Sequence, residues 1–547
     1  MAKRKIPLNP RNNTVYVKDW LFFHPYIKPN STDNYYLKVS REVFDVIDAN
    51  MVTESSFFLP PSRKVKLTCF LTCYFEDVIS ETGIWKTFID EHFRLYQKHL
   101  PFYKLHDYNS NDINRQDISF LIWYYFSTIF FKNELISPFS NWIFRTTEQI
   151  FNVFDREYEV APENDRLNDF LKNEDDEEIF YFIKDRLRWL TFNCYLFHFT
   201  KEKFDAEIED FENKKEYEEF YANNQEAFKY EISDDYIFNK VSYLLALKPN
   251  QWLAGIVGID HILYDALKRM SSKKSGYFLF TKEDDKHLYF KHLATNTIIS
   301  ATKKSIEKME SFIEERTILY IGFVEWKGVW WFSGIYSEIR YSEELIQKEK
   351  ESIESKLVFP ENTEVKQKEL LKNQEKAFLE MNNKHIQFLN SRDNLQEFYQ
   401  VFNDYYIRVL KQKMPAEKDK LFEKEATKKP TFNIEGLKED NQDNPVTVFF
   451  NPETGLELYF GFTRLIPDED NPFYQGENET DELLLLIHSQ QVSPAFANYV
   501  FTNYGLEKTG MDGKDNAFYI ENIDFLMRFH KRDRYFTKPA VTVLNDQ

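Results

Sequence analysis

Apolar positions at steps of three and four dominate the first part of the chain. Residues 31–50, STDNYYLKVSREVFDVIDAN, carry such a face from Tyr36 to Val46, which predicts an amphipathic helix. Similar patterns predict further helices over 66–99, 115–133, 138–156, 176–200 and 201–231. Residues 1–230 are therefore expected to form one helical domain.

The middle of the chain changes to a period of two. Residues 275–302 and 316–339 alternate apolar and polar positions, as half-buried strands do, and a short helical pattern at 303–314 separates them. The Lys-Gly pair at 327–328 is a suitable hairpin turn. Short, curved strands of this kind are typical of a small barrel. We therefore expect a helix followed by a small SH3-like β-barrel over residues 234–345.

The last part of the chain mixes both periods. Residues 346–380 are charged and poor in aromatic residues, which predicts a helical connector. Residues 381–547 contain a strand–helix pattern, a hairpin pattern turning at 451–455 and a polar linker at 412–444. The expected fold class is an α+β multidomain protein with a mainly helical N-terminal domain, a barrel insert and an α+β C-terminal domain.

Composition narrows the class of protein. Hydrophobic residues make up 42% and aromatic residues 17% of the 547 positions, enough for packed cores. The chain as a whole has a net charge of −19, which repels nucleic acid and anionic lipid. The most apolar run, 118–131, is shorter than the roughly 20 residues of a membrane span and predicts a buried helix. The start of the chain has no signal-peptide pattern, and three cysteines suit a reducing cytoplasm. We expect a cytoplasmic protein without a membrane span.

Several stretches resemble a known family. The opening VYVKDWLFFHPYIKPNSTDNYYLKV, the helical LPPSRKVKLTCFLTCYFEDVISETGIWKTF and the strands around ILYIGFVEWKGVWWFSG are similar to an uncharacterised bacterial family of unknown function, seen mainly in Bacteroidetes-type genomes. The shared motifs are aromatic and structural. The resemblance therefore implies a helical N-terminal domain followed by a small SH3-like barrel and an α+β C-terminal domain, and it implies no activity and no catalytic residue.

Metal and catalytic signatures are weak. The common motifs for phosphate binding, zinc proteases, hydrolases and dinucleotide binding are missing from the sequence. Cys69 and Cys73 share one helix face but lack two further ligands at a helpful spacing. The histidines around 92–112, with Asp112 or Asp117 as a distant partner, suggest a metal-dependent hydrolase, but a helix separates His92 and His99 by about 10 Å. We expect no cofactor and no metal site.

Binding candidates are stronger and fall into two groups. Trp330 and Trp331 are adjacent on a strand, so one of them is expected to face outwards, where tryptophan suits a peptide or a base. The C-terminal stretch RFHKRDRYFTK is the one locally basic and aromatic segment and could grip phosphates. The candidate binding residues are Trp326, Trp330, Trp331, Arg528, Lys531, Arg532 and Arg534.

These patterns favour a non-enzymatic protein-interaction or scaffold protein, with the barrel as its binding or docking module. Another protein is the expected partner, because the net charge disfavours nucleic acid. Two alternatives stay open: a metal-dependent hydrolase that uses the histidines around 92–112, and a nucleic-acid- or ribosome-associated protein that uses the basic C-terminal segment.

Overall fold

A computed structural model describes most of the chain. The described residues are 14–51, 59–130, 136–173, 180–213, 218–305, 317–359, 363–413, 444–474, 486–487, 489–508 and 517–536. The chain divides into two units, Met1–Phe359 and Pro360–Gln547. The expected α+β multidomain class is confirmed. Within the described residues, no helix combines the length and the apolar character needed to cross a bilayer.

Helices build the first part of the first unit. They are α1 (Val17–Leu21), α2 (Ser31–Met51), α3 (Pro61–Ile79), α4 (Ile84–Tyr96), α5 (Arg115–Ile129), α6 (Asn141–Glu157), α7 (Asp165–Lys172), α8 (Phe180–Phe192), α9 (Phe199–Glu212), α10 (Glu218–Phe238), α11 (Pro249–Val257) and α12 (Tyr264–Arg269). The prediction of a central buried helix is confirmed by α5, which is buried from Asp117 to Ser127. Such a helix needs apolar residues on every side, as its sequence has.

One predicted helix is broken by its backbone. The pattern over 66–99 continues across the turn between α3 and α4, where Glu81 and Gly83 both have positive φ angles of 49° and 92°. A left-handed residue ends a right-handed helix, and glycine tolerates it best. The carboxylate of Asp77 then accepts the backbone N–H groups of Gly83, Ile84 and Trp85, which begin α4. The apolar period alone cannot show this change of direction.

The predicted barrel is confirmed as a closed barrel of five strands. The strands are β1 (Lys274–Glu283), β2 (His287–His292), β3 (Ile298–Thr302), β4 (Ile318–Trp326) and β5 (Val329–Ile339). The hairpin prediction at 327–328 is also confirmed, because Trp326 pairs with Val329 and both turn residues have positive φ angles. The helix predicted over 303–314 starts as a 3₁₀ turn at Lys303–Ser305, and its remainder lies outside the described residues.

The strand order identifies the type of barrel. The order is β1-β2-β3-β5-β4, with β4 pairing back to β1 and with β3 parallel to β5. Consecutive strands of an SH3-like barrel are neighbours from the first to the fourth, whereas here β3 pairs with β5 instead of β4. The SH3-like assignment is therefore not confirmed. This Greek-key order is that of the oligonucleotide/oligosaccharide-binding (OB) barrel.

One side of the barrel packs on the helices. Trp331 on β5 stacks on Phe180 of α8, with ring centroids 5.6 Å apart. The Tyr181 hydroxyl donates to the backbone carbonyl of Phe332. Inside the barrel, apolar side chains of all five strands form the core: Phe278, Phe280, Leu288, Phe290, Ile299, Ala301, Leu319, Ile321, Phe323 and Phe332. The outer side formed by β1, β2 and β3 is left as the candidate binding surface.

Buried charges join the barrel to the helices. The ammonium of Lys184 on α8 lies 2.7 Å from a carboxylate oxygen of Asp234 on α10, and that of Lys273, just before β1, lies 3.6 Å from the other oxygen. All three residues are buried. Lys184 also donates to the backbone carbonyl of Ser333 on β5. The Asp234 carboxylate thus connects α10 to α8 and to the residue before β1, and Lys184 extends the connection to β5.

The first unit ends in helices α13 (Glu343–Glu351) and α14 (Ile353–Lys356), and the second contains α15 (Thr363–Asn382), β6 (Ile386–Leu389), α16 (Leu395–Lys413), β7 (Val446–Asn451), β8 (Gly455–Tyr459), α17 (Pro494–Lys508), α18 (Ala517–Glu521) and α19 (Ile523–His530). The three strands form an antiparallel sheet in the order β6-β7-β8. The predicted hairpin at 451–455 is confirmed by the Asn451–Gly455 pair. The predicted polar linker at 412–444 lies almost wholly outside the described residues.

We predict that Asp234→Asn destabilises the protein by about 3–5 kcal/mol, because it removes the counter-charge of the buried Lys184 ammonium and leaves the Lys273 ammonium with only the partly exposed Glu231 carboxylate. Asp235→Asn is the matched control. Its side chain is about half exposed and lies 3.6 Å from Lys240, so its loss should cost about 1 kcal/mol or less. Urea denaturation gives both free energies of unfolding. Equal values for the two variants would contradict the prediction.

Candidate functional site

Two of the three candidate tryptophans lie in the interior. Trp326 is 1% exposed and Trp331 is 7% exposed, the latter under α8. Trp330 is half-buried and points inwards at the edge of the barrel core, with its ring 6.4 Å from that of Phe359. Neither tryptophan of the adjacent pair is therefore fully exposed, and only part of the Trp330 ring remains accessible to a ligand.

The outer face of β2 carries an aromatic and basic row. His287, Tyr289 and Lys291 alternate with Leu288 and Phe290, which fill the core, so the row faces outwards. Tyr289 lies opposite Lys282 on β1 and Ser300 on β3. Lys291 lies opposite Leu279 and Ile298, and the Ile298 side chain is 62% exposed. These residues form one surface, called here the β2 face.

The ring of Tyr289 is held in place. Its hydroxyl donates to the Asp284 carboxylate over 2.7 Å, and the Lys282 ammonium lies 4.8 Å from the ring centroid. Asp284 also accepts the backbone N–H groups of Lys286 and His287. These three hydrogen bonds hold the pKa of Asp284 well below its usual range, and the neighbouring carboxylate raises the pKa of Tyr289. A fixed aromatic ring offers a contact surface at low entropic cost.

The surface charge around the β2 face differs from that of the whole chain. Residues 274–305, which leave out the buried Lys273, contain six lysines and three acidic residues, a local charge of +3 in a chain of net charge −19. A protein that is negative overall can still attract an anion to a locally positive surface. The sign of the local charge therefore favours an anionic ligand at this face.

The predicted C-terminal binding segment is largely occupied by internal contacts. Lys531 is buried, and its ammonium donates to the backbone carbonyls of Ser489 and Val492. Burial lowers the pKa of Lys531 to about 7. Arg528 pairs with Asp524 over 2.9 Å. Lys531 therefore connects the end of α19 to residues 489–492, whereas Arg528 is paired within its own helix.

The remaining two candidates in this segment differ in exposure. Arg532 is 9% exposed, whereas Arg534 is exposed and donates to the backbone carbonyl of Gln490. Of the four basic candidates, Arg534 is therefore the one whose surface is open to solvent.

The histidines around 92–112 are not assembled into a metal site. His92 is buried, and its Nδ1 donates to the backbone carbonyl of Lys98 over 2.7 Å, while burial lowers its pKa to about 4. His99 stacks between Phe93 and Tyr108. His106 is exposed. Among the described residues, none of these side chains belongs to a group of three potential metal ligands within 4.8 Å of one another.

Asp117 instead accepts a set of hydrogen bonds in the core. The hydroxyls of Tyr74 and Tyr108 and the indole of Trp85 donate to its carboxylate over 2.8, 2.9 and 2.9 Å. Burial raises the pKa of Asp117 to about 7, although these hydrogen bonds lower it. Its carboxyl group thus connects α5 to α3 and α4.

A polar cleft of about 270 Å³ lies close to this carboxyl group. Asp77, Lys86, Asp90 and Lys172 line it. Its buried carboxylate, Asp77, is fully engaged by the start of α4 and by the Tyr195 hydroxyl at 2.8 Å. These contacts give the carboxylate a structural role.

Sequence reasoning missed Tyr289 and its neighbours. The signal was present, because strict alternation in HLYFKH places His287, Tyr289 and Lys291 on one face of a strand. The pattern could not show which side of the barrel the helices cover. That depends on the pairing of β3 with β5, which are distant in sequence.

The strand order and the β2 face define a helical protein that carries a closed barrel of the OB type. The chain belongs to the family described as protein of unknown function (DUF3843), whose model matches residues 14–327. That match includes α1–α12 and four of the five barrel strands, and it ends in the turn before β5. The expected membership of a family of unknown function is confirmed. No curated protein matches the chain, and no solved structure matches it.

We predict a specific pH dependence from Asp117. Its pKa of about 7 in the folded state exceeds the ordinary value of 3.8, so its stabilising contribution is complete below pH 4 and is lost as the pH rises towards 7. The free energy of unfolding of the natural protein, relative to Asp117→Asn, should fall over this window by up to about 1.4 kcal/mol per pH unit.

Urea denaturation at a series of pH values measures this difference. Asp107→Asn is the control, because Asp107 is exposed and its replacement should leave the profile parallel to that of the natural protein. A parallel profile for Asp117→Asn would contradict the prediction.

Proposed function

We propose that this protein is a non-enzymatic binding protein whose barrel contacts its ligand through the β2 face, and that the ligand is a single-stranded nucleic acid. The observation that carries the proposal is the position of Tyr289 between Lys282 and Ser300 in a barrel of OB order. In OB barrels, strands 2 and 3 and the loops beside them contact oligonucleotides. A cytoplasmic location fits the three free, buried cysteines.

The chemistry of the β2 face supports this ligand. Aromatic rings stack on bases without regard to sequence, and lysines neutralise the phosphates between them. Tyr289 supplies the ring, and Lys282 and Lys291 supply charges on either side. The net charge of −19 opposes nucleic acid as a whole, so we expect binding that is modest and strongly weakened by salt.

Binding is tested with fluorescently labelled single-stranded RNA and DNA of about 16 nucleotides, the upper site size of one OB barrel. We predict that Tyr289→Ala weakens binding by about 1–3 kcal/mol, because it removes one stacking surface. Tyr277→Ala is the matched control. Tyr277 lies on β1 with its ring against that of Tyr320, 5.1 Å away, so its loss should leave the affinity unchanged.

We also predict that the double reversal Lys282→Glu and Lys291→Glu lowers the affinity and the slope of log affinity against log salt concentration, because fewer counterions are released. Lys28→Glu with Lys38→Glu is the matched control, since both lysines are exposed on the helical part and the change in net charge is the same. Fluorescence anisotropy between low and moderate salt measures both quantities.

Two results would overturn the ligand assignment. One is the lack of salt-dependent binding to both oligonucleotides. The other is capture of a stoichiometric protein from the native host that Tyr289→Ala releases, which would place a protein partner at the same face. The exposed Ile298 would then be the first residue to substitute.

A further inference from the structure

Three potential metal ligands meet inside the helical part of the first unit. His24 follows α1, and Cys73 and Glu76 lie one turn apart on α3. One ligand atom of each residue, a ring nitrogen, the sulfur and a carboxylate oxygen, lies within 4.8 Å of the other two. All three residues are buried. The β2 face plays no part in this cluster.

Hydrogen bonds from neighbouring groups orient two of the three ligands, His24 and Glu76. Nδ1 of His24 donates to the backbone carbonyl of Trp20 over 3.0 Å, which leaves Nε2 directed at Glu76, 2.8 Å from Oε2. The other oxygen of Glu76 accepts the side-chain amide of Asn164 over 2.9 Å. Metal-binding histidines commonly donate their second N–H to a backbone carbonyl, and ligating carboxylates are commonly hydrogen-bonded in this way.

The charges around the cluster suit a cation. The carboxylate of Asp33 is also buried nearby and accepts the indole of Trp20 and the hydroxyl of Tyr26, each over 3.0 Å. Asp33 and Glu76 thus bring two negative charges to the region of one imidazole. A divalent cation that displaces one proton from the His24 imidazolium and one from the Cys73 thiol leaves the total charge unchanged. Binding therefore requires no further counter-charge.

We propose that His24, Cys73 and Glu76 bind a divalent cation of the zinc class. A nitrogen, sulfur and oxygen donor set suits this borderline-soft ion. Zinc bonds of about 2.0–2.3 Å place tetrahedral ligand atoms roughly 3.3–3.8 Å apart, so the His24–Glu76 contact of 2.8 Å opens slightly when the ion binds. A water molecule supplies the fourth ligand. The site is enclosed, so the ion fastens α1 and the segment after it to α3.

The test measures metal in the full chain. Protein purified without chelators is dialysed against zinc and then against metal-free buffer, and metal content is determined by mass spectrometry. We predict one zinc ion per chain and a lower unfolding temperature after treatment with a strong chelator. Cys73→Ala and His24→Gln should abolish zinc retention. Cys69→Ala is the matched control, since Cys69 is equally buried one turn earlier on α3 and should leave retention intact.

Natural protein that retains no zinc would overturn the proposal, and so would stoichiometric zinc in Cys73→Ala. A second measurement applies if Cys73→Ala fails to fold. Cobalt replaces zinc in the natural protein, and a thiolate-to-cobalt charge-transfer band in the near ultraviolet reports the Cys73 bond directly. Reconstituted protein that contains cobalt but lacks this band would equally overturn the assignment.

Discussion

The position of the barrel depends on one buried carboxylate. Asp234 on α10 faces Lys184 from α8 and Lys273 from the start of β1, and burial raises the pKa of Asp234 even though both lysines lower it. The arrangement needs room as well as charge, because a Cβ atom at Gly322 on β4 would overlap the side chain of Lys273. Since the carboxylate is enclosed, movement of the barrel away from the helices would separate charges that water does not reach. This contact therefore fixes which side of the barrel faces solvent.

Local patterns predicted most elements of the fold. The alternation over 275–302, the turn at 327–328 and the helix beginning at Ser31 need only neighbouring residues, and all were found where expected. Strand order could not be predicted from local patterns, because the parallel pairing of Ala301 with Trp330 joins residues far apart in sequence. The turn that ends α3 depends on the φ angle of Gly83, which hydrophobic periodicity does not reveal.

The candidate sites were harder to predict for the same reason. Adjacent tryptophans on a strand point to opposite sides, but a strand between a core and a helix layer can bury one and half-bury the other, as β5 does with Trp331 and Trp330. Helical spacing pairs Cys73 with Cys69, because the two share a helix face. Its actual neighbours are Glu76, one turn along, and His24, which precedes it by nearly fifty residues. A spacing rule cannot find a ligand that tertiary packing supplies.

Phe359, the last residue of the first unit, packs against the core of the barrel. The ring of Phe359 lies 6.0 Å from Phe278, 5.1 Å from His292 and 6.4 Å from Trp330, although β5 ends twenty residues earlier at Ile339. The barrel thus depends on a segment that follows its own strands. A fragment cut after β5 would keep every strand pairing and still expose these rings to water, so the natural boundary of this folding unit lies after Phe359.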